Sequence, residues 1–413
     1  MMIKHEQLFS EALQIREPFY IQRVVFDQQQ GELHIYIDFL KGAKFSCPEC
    51  EKPGLCVHDT EDKQWRHLNF FQYKAYLHFR HPRVRCDDHG VHRIKVPWAQ
   101  RGSGFTLLFE ALVMELAGCM PVKEIAKNVG EHDTRIWRII NRYVDAGRAE
   151  ADYSSLESVG IDETSSKKRH TYVTMFTDMQ ESRVVHVEVG KDAQTVQSFK
   201  QMLQDRDIDP LQITQVCADM SPAFRRGVAD AFPHADVTFD KFHVIKLINE
   251  ALDEVRRAEQ KDQVLLKRSR YLWLYNPKNL STKQAAALHS LTKLNLKTVR
   301  AYRIKLALQE VYQAADKQTA EALLQKWYAW AIRSRLKPVK DVAQTIKTSW
   351  NGILNYFDSW LTNGVLESIN GVVQAARRRA RGYRNVKNFI TMIFLLSGKL
   401  NLGGCHRGIT HTI

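Results

Sequence analysis

The sequence predicts a multidomain α/β protein, and three observations predict it. The first hundred residues alternate as strands around two Cys/His knuckles. Three short helices follow, with a glycine break and an arginine-rich last member. From residue 156 the elements run as three strands, a helix, a strand, a helix and a strand, and a long helical stretch then precedes another amphipathic helix. The 413 residues exceed one ordinary domain. They divide into a β-rich metal-stapled module (1–100), a three-helix segment (101–155), the first part of an α/β domain (156–258), an all-helical insertion (259–345) and the second part of the α/β domain with its basic end (346–413).

Composition limits the partners. Lys and Arg number 60 against 46 Asp and Glu, a formal +14, which favours a polyanion, nucleic acid first. No apolar run reaches the ~18 residues of a membrane span; the longest, Phe389 to Leu396, is short and contains Thr391. The stretch MMIKHEQLF lacks a signal-peptide apolar region, and seven thinly spread cysteines suit a reducing cytoplasm with thiols or a metal site in place of disulfides.

In the first module, ELHIYIDF (Glu32 to Phe39) and YKAYLHFR (Tyr73 to Arg80) alternate at period two, as strands do. Between and after them lie Cys47-Pro-Glu-Cys50 and Cys86-Asp-Asp-His89. Each knuckle offers two ligands from one tight turn, so Cys47, Cys50, Cys86 and His89 suit one tetrahedral Zn²⁺, with Cys56 and His58 as substitutes. The 35 residues between the knuckles exceed the about 15–20 of common ribbons, so the second knuckle must close over an inserted hairpin. Arg66, Lys74, Arg80, Arg83 and Arg85 interleave there with Trp65, Phe70, Phe71 and Tyr76, which suits a nucleic-acid surface.

Phe105 to Ala117 reads as a helix with Leu108, Leu112 and Leu116 on one face. Pro121 to Gly130 is a short second helix closed by its glycine, and His132 to Val144 is a third. A short helix, a glycine turn and a basic helix form the helix-turn-helix pattern, whose last helix enters the major groove. Ile136, Ile139, Ile140 and Tyr143 would face the bundle; Thr134, Arg135, Arg138 and Arg142 would face DNA.

The α/β domain is organised around Val216 to Val244, VCADMSPAFRRGVADAFPHADVTFDKFHV. Val216 and Cys217 run into Asp219, and Ser221-Pro222 starts a helix. Ala235, Val237 and Phe239 alternate up to Asp240, with His243 three residues on. Asp219 and Asp240 therefore sit past the ends of neighbouring strands, where open α/β sheets place ligands. Upstream, Ser158 to Asp162 is a strand ending in an acid, and His170 to Thr177 and Arg183 to Val189 follow, with turns at Lys167-Lys168 and near Gln180. Asp192 to Gln204 is helical. That order is ribonuclease-H-like. Glu163 adjoins Asp162, but successive strand residues face opposite ways, so only one enters a shared site.

A third acid comes from the helix Thr362 to Arg379. Asn363, Glu367, Asn370, Gln374 and Arg378 form one polar stripe at spacings of four, three, four and four. Leu366, Ile369, Val373 and Ala376 form the apolar stripe beside it. The polar stripe leads into Arg377, Arg378, Arg379, Arg381, Arg384 and Lys387, a track suited to phosphates. Three carboxylates suit phosphodiester chemistry, because divalent ions held by acids activate the attacking oxygen and stabilise the leaving one, and Mg²⁺ prefers oxygen ligands.

The stretches GIDETS, CADMSPAF, FDKFHVIKLINEA, TNGVLESIN and ARGYRNVKNFITMI, with HLNFF and PRVRC…HGV…VPWA upstream, resemble the ISL3 family of bacterial insertion-sequence transposases over nearly the whole chain. The resemblance implies a DDE transposase with Asp162, Asp219 and Glu367 as ligands of Mg²⁺ or Mn²⁺, an N-terminal zinc ribbon and a helix-turn-helix for element ends. Asp240-Lys-Phe-His243 matches the C/DxxH signature of related transposases with helical insertions. That match makes Asp240 and His243 accessory catalytic residues and Asp219 the ligand, a choice spacing alone leaves open. Ser368 departs from the family, where glycine is expected. The implied partners are DNA, as terminal inverted repeats and target, and further copies of the chain in a homodimer or higher assembly on that DNA; the implied location is the cytoplasm.

Residues 259–345 read as helices: Ser281 to Gln284 is a capping box, and Leu296 to Tyr312 and Ala320 to Arg333 follow. Trp273, Trp327 and Trp330 are the large aromatics. Buried tryptophans usually form core; Trp273 is the candidate to stack on an unpaired base at a cut. Two rival functions remain: a nuclease or Holliday-junction resolvase on the same fold, which has no need of two DNA-binding modules, and a zinc-dependent regulator with a dead enzyme domain, which the presence of all three acids disfavours.

Overall fold

The structure is a computed structural model that describes residues 5–167, 171–360 and 363–403. Lys168, His170 and Thr362, in the expected turn, strand start and helix start, lie outside these residues. The chain forms two compact units, Met1–Ala151 with Arg379–Arg381 and Leu400–Ile413, and Asp152–Arg378 with Gly382–Lys399.

In the first unit, α1 (His5–Ala12) precedes β1 (Phe19–Asp27), β2 (Glu32–Phe39), β3 (Val57–Arg66), β4 (Lys74–Cys86) and β5 (Gly90–Arg93). The sheet order is β1-β2-β4-β3, with β5 on β4. β3 and β4 are the antiparallel hairpin that the knuckle spacing demands. Alternation along β2 buries Leu33, Ile35 and Ile37, which pack with Leu77, Phe79, Trp65 and Trp98. Trp65 is therefore core, whereas Phe71 is largely exposed, packed edge-on against Phe70.

Helices α2 (Leu107–Cys119), α3 (Val122–Val129) and α4 (Asp133–Ala149) follow. Thr106 caps α2 by accepting from the Phe109 N–H, and Gly130 ends α3 in the left-handed region at φ 70°, where a side chain is disfavoured. Ile136, Ile139, Ile140 and Tyr143 of α4 are buried as expected. On α2, Leu108, Leu112 and Leu116 share one face as expected and are partly buried, while Phe109, Val113 and Ala117 are fully buried. The helix is apolar nearly all round, so burial is not confined to that face.

The second unit opens with β6 (Ser158–Lys167), β7 (Thr171–Asp178), β8 (Arg183–Val189), α5 (Ala193–Gln204), β9 (Gln215–Ala218), α6 (Pro222–Ala231), β10 (Asp236–Phe239) and α7 (Lys241–Glu259). The strand order is β10-β9-β6-β7-β8. β6, β9 and β10 are parallel, and β6, β7 and β8 are antiparallel. This is the ribonuclease-H-like arrangement.

The insertion holds α8 (Arg270–Leu274), α9 (Thr282–Thr292), α10 (Lys297–Val311), α11 (Lys317–Ile332) and α12 (Lys337–Thr348). After it come α13 (Trp350–Leu354), α14 (Tyr356–Ser359), α15 (Gly364–Arg379) and α16 (Val386–Ser397). The Ser281–Gln284 capping box forms. One core joins Val244, Ile248 and Leu252 of α7 to Leu308, Leu324, Trp327, Ile346 and Phe357. The insertion is thus built onto α7 and shares its core. Gly352 lies against Phe239, whose ring leaves no room for a Cβ.

Candidate catalytic site, metal centre and nucleic-acid surface

Register assembles the acids. Ile161 of β6 pairs with Ala218 of β9, and Ala218 pairs with Phe239 of β10. The next residues are Asp162, Asp219 and Asp240, so three aspartates continue one row at the carboxyl edge of the parallel strands. Asp162 Oδ1 accepts from the Glu163 N–H at 2.8 Å and Oδ2 from Asn370 Nδ2 at 2.9 Å. Burial pushes the Asp162 carboxyl above the usual range; Asn370 and the Glu163 N–H oppose the rise, and Asp219 adds to it. Asp219 Oδ1 accepts from the Ser221 N–H at 2.8 Å.

Asp240 is buried and caps α7. Its Oδ2 accepts from the His243 N–H at 3.3 Å and lies 3.0 Å from His243 Nδ1. That bond raises the imidazole's proton affinity against the effect of burial, and Asp219 and Asp162 raise it further. His243 therefore sits in the field of all three aspartates.

Glu163 follows Asp162 on β6, so alternation turns its side chain to the other face. Burial raises its carboxyl, Lys191 lowers it, and Asp219 and Asp162 both raise it.

Helix α15, which carries Glu367, is anchored to the strand that carries Asp162 and to the strand that runs into Asp219. Leu366 lies against Gly160, where a Cβ would come within 2.7 Å of its side chain. Asn363 Oδ1 accepts from Cys217 Sγ at 3.0 Å, and Asn370 bonds Asp162 and Thr164. Glu367, exposed, lies on the same stripe between these two anchors. Thr164 escaped the sequence reading, although its place two residues after Asp162 puts it on the same strand face. Among the described residues, Asp162, Asp219 and Glu367 do not form a set with all ligand atoms within 4.8 Å of one another.

Cys47, Cys50, Cys86 and His89 do form such a set. Cys50 Sγ lies 3.8 Å from Cys86 Sγ, and His89 Nδ1 lies 3.6 Å from Cys86 Sγ and 4.0 Å from Cys47 Sγ. Tetrahedral Zn²⁺ with Zn–S bonds of about 2.3 Å requires S···S edges of about 3.8 Å, so the donors fit. The backbone N–H of Asp88 lowers the Cys86 thiol, which favours the thiolate a metal needs. Cys56 and His58 are exposed and stand outside the set.

The arginines of α4 differ in their surroundings. Arg142 is ion-paired with the fully buried Glu110, which also accepts from Ser103 and Tyr143. Arg135 pairs with Glu131 and lies over the Phe105 ring. Arg138 and Thr134 are exposed. On the basic track, Arg378, Arg379, Arg381, Arg384 and Lys387 are exposed, and Arg377 donates to Gln374.

The assignment of Trp273 to an unpaired base is overturned. Its side chain is fully buried, its Nε1 donates to Ser269 Oγ at 3.0 Å, and its ring meets Tyr302 edge-on. Lys305, buried beneath it, donates to the Trp273 and Leu274 carbonyls at 2.9 and 2.8 Å.

Comparison with known proteins gives the family. A family profile described as a transposase matches residues 159–393, more than half of the chain. The helix-turn-helix domain of transposase family ISL3 matches 94–144, and the zinc-finger of transposase IS204/IS1001/IS1096/IS1165 matches 43–89. The transposase for insertion sequence element IS1557 of Mycobacterium tuberculosis is 28% identical over 368 residues, covering 81% of each chain. The transposase for insertion sequence element IS1001 of Bordetella parapertussis is 26% identical over 385 residues, covering 90% of this chain and 94% of that protein. With a DNA-binding helix-turn-helix, a zinc ribbon and a DDE-type domain that implies divalent metal, the chain belongs to the ISL3 family of insertion-sequence transposases.

Proposed function

We propose that the protein cuts DNA at the ends of its own element and joins the freed 3′-hydroxyls to target DNA, using one site for both steps. Asp162, Asp219 and Glu367 hold the catalytic divalent cations, Mg²⁺ or Mn²⁺. The observation that carries this reading is the anchoring of α15 on either side of Glu367, to Cys217 two residues before Asp219 and to Asp162 itself. When bound, the cations supply activation of the attacking oxygen and charge stabilisation of the leaving one.

The side chains have separable tasks. Asp162, with both oxygens tied to fixed donors, presents a carboxylate of set orientation. Asp240 holds His243 in place beside the other aspartates. Arg138, helped by Arg135, reads bases of the terminal inverted repeats, while Arg142 braces its helix through Glu110. Arg377, Arg378, Arg381 and Arg384 hold phosphates without regard to sequence. An element has two ends, which calls for a homodimer or larger assembly on DNA, and the chromosome places that work in the bacterial cytoplasm, at the nucleoid.

The test is incubation of pure protein with supercoiled DNA carrying the flanking element ends, with and without Mg²⁺. Nicks mapped to the element ends in the presence of metal only are expected. Cutting that ignores the ends, or no cutting in any divalent metal, would refute the assignment.

A further inference from the structure

We propose that Asn370 is the positioning residue of Asp162, at the end of a directional chain of hydrogen bonds that begins at Arg377. The proposal rests on the reading of Asp162 as a metal ligand.

The chain has four links. Arg377 Nη1 donates to Gln374 Oε1 at 3.1 Å, which turns the amide so that Gln374 Nε2 donates to Thr164 Oγ1. The Thr164 hydroxyl, its lone pair engaged, gives its proton to Asn370 Oδ1 at 2.8 Å. With its oxygen thus engaged, Asn370 presents Nδ2, a donor, to Asp162 Oδ2 at 2.9 Å. Without the hydroxyl, the Asn370 amide could rotate and turn its oxygen on the carboxylate, which would repel it. Thr164 is buried, so no bulk water takes over its role.

Two consequences follow for the carboxylate. Each Asp162 oxygen accepts one protein hydrogen bond, from Asn370 and from the Glu163 N–H, and a carboxylate has about four lone-pair sites. Orientation is therefore fixed while lone pairs remain for a cation. Asn370 also lies three residues after Glu367, so the same bond sets the placement of that helix turn relative to β6. Partners that orient metal ligands from behind typically contribute about 10–100-fold in metal affinity.

The test titrates Mn²⁺ calorimetrically into full-length protein, and follows end cleavage against Mn²⁺ concentration. Asn370→Ala should bind Mn²⁺ about 10–100-fold more weakly, with cleavage recovering as Mn²⁺ is raised. Thr164→Val, which keeps side-chain shape, should shift the same curve in the same direction by less. Melting without metal checks that each variant is folded; should Asn370→Ala fail to fold, Thr164→Val decides. Wild-type Mn²⁺ affinity in the folded variants, with affinity lost in Asp162→Asn, overturns the positioning role alone. Wild-type affinity in Asp162→Asn overturns the ligand reading, and the positioning role with it. A cleavage defect that persists at saturating Mn²⁺ with unchanged affinity also overturns it.

Discussion

His243 holds its Nδ1 3.0 Å from Asp240 Oδ2, and the same oxygen accepts from the His243 backbone N–H to cap α7. One carboxylate thus starts the helix that carries the insertion and holds an imidazole beside two other aspartates. The bond raises the imidazole above its usual value, about 6.5 in an unfolded chain. Stabilisation from a raised histidine is full below that unfolded value and is lost as pH rises through the folded one. The melting-temperature gap between wild type and His243→Ala should therefore be wider at pH 6 than at pH 9. Equal gaps would mean that the pair does not hold a proton.

The acids should separate chemistry from binding. Asp162→Asn, Asp219→Asn and Glu367→Gln each should abolish cleavage and joining while end binding, measured by gel shift, stays at wild-type strength. Asp240→Asn should be milder. Glu163→Gln, on the opposite face of β6 from Asp162, should be nearly silent. Normal cleavage by Asp219→Asn would remove it from the ligand set.

Gly160 is the close approach that lets α15 lie on β6, since a Cβ would come within 2.5 Å of Met179 and 2.7 Å of Leu366. Gly160→Ala should cost about 1–3 kcal/mol in urea unfolding and reduce cleavage more than end binding. Unchanged stability would show that the helix yields without cost.

Two arginines one turn apart on α4 should behave oppositely. Arg138→Ala should weaken discrimination of end DNA from random DNA by about 1–3 kcal/mol and leave the melting temperature alone. Arg142→Ala leaves the buried Glu110 carboxylate without its ion pair. It should destabilise by about 2–4 kcal/mol, the partial exposure of the arginine keeping the loss below that of a fully buried pair.

The ribbon should carry one zinc per chain by metal analysis. Cys86→Ser, or a strong chelator, should unfold the first unit locally and leave the melting of the second unit unchanged. Protein purified without chelator and found free of zinc would disprove the site.

Features encoded within a few residues were legible in the sequence. Strands β2, β9 and β10, the cap at Gly130, the Ser281–Gln284 box and the two knuckles each follow from alternation, turn chemistry or ligand spacing within a short window. The strand order from Ser158 onward predicted the sheet, and resemblance to a family chose Asp219 over Asp240 as the proposed ligand. What only tertiary structure decided was which side chains meet across long separations. Asn370 reaches Asp162 and Cys217 reaches Asn363 only because Gly160 admits Leu366. Trp273 is core because α10 supplies Tyr302 and Lys305, and Arg142 is held because the buried Glu110 needs a cation. Local hydrogen bonding and periodicity are set by neighbours in the chain, whereas burial and charge pairing are properties of elements once packed.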